Sequence, residues 1–378
     1  MEPALTHRRH ALKLAAASAA SLALPSLRAQ DRNAIVLGQS APLTGAAAQL
    51  GLQFKAGAQL MFARINGRGG INGRPIELRS LDDGYEPERC AANTQQFIKQ
   101  GVQALFGYIG TPTSLAALPL ATAARLPFIA PFTGAQALRE PFNRYAFHVR
   151  ASYFDETARI VNQLAGVGMK NIAVFHQNDS YGQAGLAGVT KALAALQSKP
   201  SALGTVERNS VDVAAAVAAI LAGKPEAIVQ ISAYKSCAAF VREARKAGYG
   251  GQFCNVSFVG TAALANELGA EARGVVISQV MPYPFAGITP LAAEFLQAAA
   301  TANIDVNYSS MEGYVAARTV AEALKRSKGA SAEGLIDALE SLREYNLGGY
   351  FVDFAPNKHT GSSYVDLTIL GADGRVRR

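Results

Sequence analysis

Short apolar runs alternate along the chain with longer amphipathic stretches. The runs at 34–38, 76–81, 103–107, 127–131, 171–176, 202–207, 227–231, 252–256 and 274–279 have the length and aliphatic content of buried strands. Between them, 52–66, 87–100, 113–124, 153–167, 181–197, 212–222, 236–247 and 261–268 carry a helical period. Strands that alternate with helices of this length predict parallel sheets with helices on both faces, an α/β class. Turn chemistry agrees: INGRGGINGRP (65–75) places two Asn-Gly pairs and a Gly-Gly where a helix must stop and a strand begin.

The rhythm runs twice, over about 34–149 and 171–279, and breaks after VVISQVMPYPF (275–285). Helices are expected at 290–302, 309–327 and 331–342, then β-like pieces at 350–354 and 364–370. The chain therefore enters a second unit, returns through a proline-bearing segment and adds material afterwards. Two α/β lobes joined by several crossings suit a hinged pair around a cleft. The 378 residues, less the first 30, also favour two domains over one.

The first 30 residues read as a secretory signal. A basic head (Arg8, Arg9, Lys13) precedes an apolar run from Leu14 to Leu24, too short for the roughly 20 apolar residues of a membrane span. The Arg8-Arg9 pair fits either the twin-arginine route or an ordinary signal. Export to the periplasm is the expected destination. Without this segment, which holds four basic residues and one acidic, 32 basic residues face 27 acidic, a net +5. The charges are dispersed, so nucleic-acid binding is not indicated. Cys90, Cys237 and Cys254 leave at least one thiol unpaired in an oxidising compartment; Cys237 and Cys254 are the pair that neighbouring strand ends would allow.

Parallel sheets bind ligands beyond the carboxyl ends of their strands. In GTPTS (110–114), Thr111 fits a helix N-cap and Pro112 the first helical position, and the free N–H groups there favour an anion. Thr133 in PFTGA offers a similar start after the next strand. Two such sites side by side suit one carboxylate. Tyr153, Tyr181 and Tyr234, each near a junction, present an apolar face with a hydroxyl, and Lys235 adds a cation or simply a solvated lysine. Asp82-Asp83 read as a solvated loop edge. No P-loop, G-x-S-x-G or strand-borne G-x-G-x-x-G is present, and His148, His176 and His359 lack metal-ligand spacing. No nucleophile, base and orienting group assemble into a catalytic set, so no enzyme, metal or cofactor is expected.

The succession SAPLTGAAAQLG, GAQLMFARINGRGGINGRPIELRSLDDGYEPERCAANTQQFI, LFGYIGTPTS, PFIAPFTGA, FHVRAS and NIAVFHQNDSYGQAG resembles the branched-chain amino acid (Leu/Ile/Val) family of periplasmic solute-binding proteins, over essentially the whole chain after residue 30. The resemblance implies the type I periplasmic binding fold: two Rossmann-like lobes, residues 31–149 plus about 283–357 and 150–282 plus about 358–378, hinged by three crossovers near 149–152, 279–283 and 358–361. It implies a monomer that traps a small organic ligand and delivers it to an ABC permease in the inner membrane. A sensing receptor component and an exported enzyme are the competing readings. The family's ligand carboxylate would meet Thr111 with Gly110 beside it, and Phe132-Thr133-Gly134. Tyr181 would cover the ligand, Leu50 would form a wall, and Ser40 would line the cleft. The family's second-lobe glutamate, which pairs with the ligand ammonium, is matched here by Ser257, and Gly110 stands where a disulfide cysteine would be. A buried ammonium without a counter-ion is costly. The expected ligand is therefore a carboxylate other than a standard branched-chain amino acid, with Lys235 pointing toward a carboxylate-rich or aromatic acid.

Overall fold

The computed structural model describes residues 34–327 and 331–378; the expected signal lies outside them. Ile35–Arg378 form one compact unit built on two sheets. The first has five parallel strands: β1 (Ile35–Ala41), β2 (Ile76–Asp82), β3 (Ala104–Phe106), β4 (Phe128–Ile129) and β5 (Ala146–Phe147), in the order β2-β1-β3-β4-β5. Helices α1 (Ala48–Asn66), α2 (Pro87–Lys99) and α3 (Thr111–Ala123) connect them.

The second sheet repeats the plan. Strands β6 (Ile172–Gln177), β7 (Leu203–Val206), β8 (Ala227–Ile231), β9 (Gln252–Asn255) and β10 (Val276–Gln279) are parallel. They alternate with helices α4 (Tyr153–Gly166), α5 (Ser180–Ala195), α6 (Ala214–Ala222), α7 (Tyr234–Lys246) and α8 (Thr261–Leu268). The burial patterns explain the sequence signal. Central β6 and β8 are buried at every position and read as mainly apolar runs, broken by the buried polar His176, Gln177 and Gln230. Edge strand β7 alternates exposed and buried residues.

After β10 the chain returns, and α9 (Pro290–Ala302), α10 (Tyr308–Arg326) and α11 (Ala332–Glu340) follow. Helix α10 lies against α1 at backbone contact: a Cβ on Gly57 would come 1.8 Å from the Ser310 carbonyl oxygen, and one on Gly313 2.0 Å from that of Phe54. A hairpin, β11 (Tyr345–Asn346) and β12 (Phe351–Val352), precedes β13 (Asp366–Leu370) and β14 (Val376–Arg377). These last two extend the second sheet antiparallel, giving the order β14-β13-β10-β9-β8-β6-β7. The first and third crossings run side by side: the His148 amide donates to the His359 carbonyl at 2.8 Å, and the Gly361 amide donates to the His148 carbonyl at 2.7 Å.

In each sheet the strand order reverses direction once, between β1 and β3 and between β6 and β8. Such switch points open a crevice at the strands' carboxyl ends. The loops bearing Thr111, Tyr181 and Tyr234 leave from strands at these two points. All three cysteines are free and buried, so the Cys237–Cys254 pair does not form; burial pushes the Cys254 thiol up to about 12. Among the described residues, no helix is long and apolar enough to cross a membrane, and no cluster of His, Cys, Asp and Glu could hold a metal.

Candidate ligand site

Helix α3 begins at the end of β3, but Thr111 is not its cap. Gly110 is the N-cap, with φ of 96° and ψ of 160°, and Thr111 is the first helical residue. Gly110 is held in that left-handed conformation by its surroundings: a Cβ there would lie 2.2 Å from the Tyr85 ring. Freed from capping, the Thr111 hydroxyl pairs with that of Thr133 at 2.7 Å. Thr133 starts no regular helix either. Only a 3-10 turn (Gln136–Leu138) follows, and the Ala135 amide donates to the Thr133 hydroxyl at 3.3 Å. Pro141 restricts the residue before it and cannot donate, which leaves no room for a longer helix. Ser114, one turn after Thr111 on the same helix face, is buried with its Oγ unpartnered. The opening N–H groups of α3 have no intrahelical acceptor and add the positive end of the helix dipole.

An aromatic cluster covers this hydroxyl pair. Tyr153 follows the first crossing, and its amide donates to the Gly134 carbonyl at 2.7 Å. A Cβ on Gly134 would come 2.6 Å from both the Tyr153 amide nitrogen and its ring, so only glycine permits this approach. The Tyr153 hydroxyl lies 3.3 Å from that of Thr133. Tyr181 sits 5.4 Å from Tyr153 between ring centroids, and its own hydroxyl is buried without a partner. Asp179 holds Tyr181 in place as the cap of α5, accepting from the Tyr181 amide at 2.9 Å. Phe258 completes the cluster, 4.6 Å from Tyr181, 5.6 Å from Phe132 and 6.0 Å from Tyr85. Burial raises all three tyrosine hydroxyls, Tyr153 to about 12 despite the nearby Arg150, so each is a neutral donor at ordinary pH. Leu50, expected at the cleft wall, is buried, and a Cβ on Gly260 would meet it at 2.4 Å.

Beneath the rings lies a charge cluster absent from the sequence reading. Arg150 is 1% exposed. Its guanidinium donates to Glu156 at 3.2 Å, contacts the Ser257 hydroxyl, approaches Glu312 at 3.5 Å and lies 4.9 Å from the centre of the Phe132 ring. Glu156 is saturated: it also accepts from the Ser257 amide at 2.7 Å, the Ser257 hydroxyl at 3.1 Å and the Ser278 hydroxyl at 2.6 Å. A carboxylate thus stands beside Ser257 after all, supplied by α4, but its oxygens are occupied. Burial pushes Glu312 up to about 7, against the pull of Arg150.

The remaining predicted residues lie at the margins. Ser40 is consumed locally: it donates to Asp83 at 2.7 Å and accepts from Asn93 at 3.1 Å. Asp83 is wholly buried, not solvated as expected, and burial raises its carboxyl to about 6. It also accepts from the Tyr85 amide at 2.8 Å and so positions that ring. Tyr234 is buried, with its hydroxyl at the Gln49 backbone in the first turn of α1. Lys235 is only partly buried and makes none of the contacts above. At the cleft mouth Arg208 bridges Glu86 at 2.9 Å and Asp179 at 3.5 Å, and Asn209 donates to Glu86 at 2.8 Å.

Two doubly wound sheets bring hydroxyls and aromatic rings together near their switch points, an arrangement suited to holding a small solute. Residues 34–375 match the family model described as periplasmic binding protein, and the chain belongs to that family, with the type I fold. A possible leucine/isoleucine/valine-binding protein from Rhodopirellula baltica superposes with a TM-score of 0.88 at 34% identity, covering 92% of this chain and 96% of that one. An amino acid binding protein of Pseudomonas aeruginosa is 29% identical over 65% of this chain and 66% of its own length. The Leu/Ile/Val-binding protein of Escherichia coli is 23% identical over 68% of this chain and 69% of its own length. The chain thus spans about two thirds of the length of these curated relatives. These relatives are described as binding proteins.

Proposed function

We propose that this protein is the exported solute-binding component of an ABC importer. It traps a small carboxylate-bearing ligand between its two lobes and hands it to an inner-membrane permease. The observation that carries the reading is the buried Thr111–Thr133 hydroxyl pair at the start of α3, with the unpartnered hydroxyls of Ser114 and Tyr181 nearby. Hydroxyls and helix-end N–H groups gathered where water is excluded are the donors an anion needs. In this reading the carboxylate first meets Thr111 and Thr133, and Phe132 and Gly134 shape the floor. Tyr153, Tyr181, Tyr234 and Ser257 then approach as the halves close about the crossings. Closure is a shift between open and closed populations, driven by the ligand's contacts with both sides. Permease delivery is the family's role carried to this chain.

Thr111→Val keeps the shape and removes the hydroxyl. Isothermal titration with a ligand found by thermal-shift screening of amino acids and organic acids should show a loss of about 1.5–3 kcal/mol, the range for a hydrogen bond to a charged group. Unchanged affinity would remove Thr111 from the site.

A further inference from the structure

We propose that the ligand is an aryl carboxylate without an α-ammonium group, its ring held between Tyr85 and Phe132 on one side and Phe258 and Tyr181 on the other. This rests on Thr111 and Thr133 as the carboxylate site. Two independent features of the cleft lead to it.

The first is the state of its carboxylates. A buried ammonium needs a carboxylate or several acceptors facing it. Glu156 already receives four donors, from Arg150, the Ser257 amide and hydroxyl, and Ser278. Asp179 receives the amides of Tyr181 and Gly182, the Gln177 side chain at 2.6 Å and Arg208. Asp83 holds Ser40 and the Tyr85 amide. Glu312 faces Arg150. Arg150 itself lies over the Phe132 ring. Paired with Glu156 and Glu312, it leaves neither carboxylate free for a ligand ammonium.

The second is which ring contacts cross the cleft. Tyr85 and Phe132 follow strands of the first sheet; Phe258 follows β9 of the second, and Tyr181 follows β6. The Tyr181–Phe258 contact at 4.6 Å joins rings of one side, and so does the Phe54–Phe132 contact at 5.7 Å. The Tyr85–Phe258 and Phe132–Phe258 contacts, at 6.0 and 5.6 Å, join opposite sides. Parting the sheets breaks only the crossing contacts and bares ring faces on both walls. A planar ring restores aromatic contact with each wall; an aliphatic chain of the same volume does not. A tetrahedral amino acid would bring its ammonium among carboxylates already engaged by Arg150, Arg208 and buried hydroxyl and amide donors.

The test is calorimetric titration of the purified protein with benzoate, cyclohexanecarboxylate, L-phenylalanine and L-leucine. Benzoate should bind about tenfold or more tighter than each of the others, one aromatic contact's worth. Phe258→Leu should lower benzoate affinity about tenfold and change cyclohexanecarboxylate binding little; the comparison on the parent protein stands even if this variant fails to fold. Either amino acid binding more tightly than benzoate overturns the inference, as does benzoate binding no better than cyclohexanecarboxylate, or no binding of any of the four. Leucine binding that is lost in Thr111→Val would refute the aryl preference and leave the carboxylate site standing. Benzoate binding indifferent to Thr111→Val would refute the carboxylate site instead.

Discussion

Arg150→Met removes a fully buried guanidinium that touches two carboxylates, Glu156 on α4 and Glu312 on α10. At an effective dielectric of about 20, a charge pair at these separations is worth about 5 kcal/mol. The substitution also relieves the several kcal/mol that burying the guanidinium costs. It leaves two buried carboxylates facing each other without a cation. The expected net loss is about 3–5 kcal/mol, the range for a broken buried pair. The loss should depend on pH. Burial already raises Glu312 to about 7 while Arg150 opposes it, so removing Arg150 moves it higher. A carboxyl whose folded pKa exceeds its unfolded value keeps its proton better when folded, so stability falls as pH rises through that window. The variant should lie nearest the parent at about pH 5 and furthest below it at about pH 8. Urea unfolding at both values, followed by far-ultraviolet circular dichroism, reads this directly. A variant as stable as the parent at the higher pH, or a deficit equal at both, would refute the buried-cluster reasoning.

Three further changes probe other parts of the fold. Glu312→Gln keeps Arg150 paired with Glu156 and removes the raised carboxyl; the parent should lose stability as pH rises from the ordinary carboxyl range to about 7, and the variant's unfolding midpoints should change less over that interval. Arg208→Ala removes a half-exposed bridge across the cleft mouth, so ligand affinity should fall by only about 0.2–1 kcal/mol, with the difference vanishing at high salt in a titration series. Gly57→Ala forces a methyl into the Ser310 carbonyl between α1 and α10; thermal denaturation should show a loss of about 1–3 kcal/mol, and an unchanged midpoint would mean that the helices separate freely.

Much of the architecture was determined locally. Central strands such as β6 and β8 are mostly apolar because both faces are covered, and the helices between them carry a 3.6-residue period. Those constraints are written in consecutive residues, so the sequence predicts both sheets and the return after β10. The strand-end junctions bearing Thr111, Thr133, Tyr181 and Tyr234 were legible in the sequence; the structure groups the first three around Tyr153 and leaves Tyr234 at the margin. What tertiary structure alone decided was how these groups are used. Thr111 is the first helical residue and not the cap, because the Tyr85 ring admits only a glycine at position 110, and its hydroxyl pairs with Thr133. Ser40 was withdrawn from the cleft by Asp83, which a linear reading left in water. Phe258 carried no signal beyond one more apolar residue after a strand, and Arg150, Glu156 and Glu312 look like three ordinary surface charges. An ion is committed to the interior only when its partners arrive from elsewhere in the chain, and pairing distance, not sequence spacing, sets whether burial is tolerable.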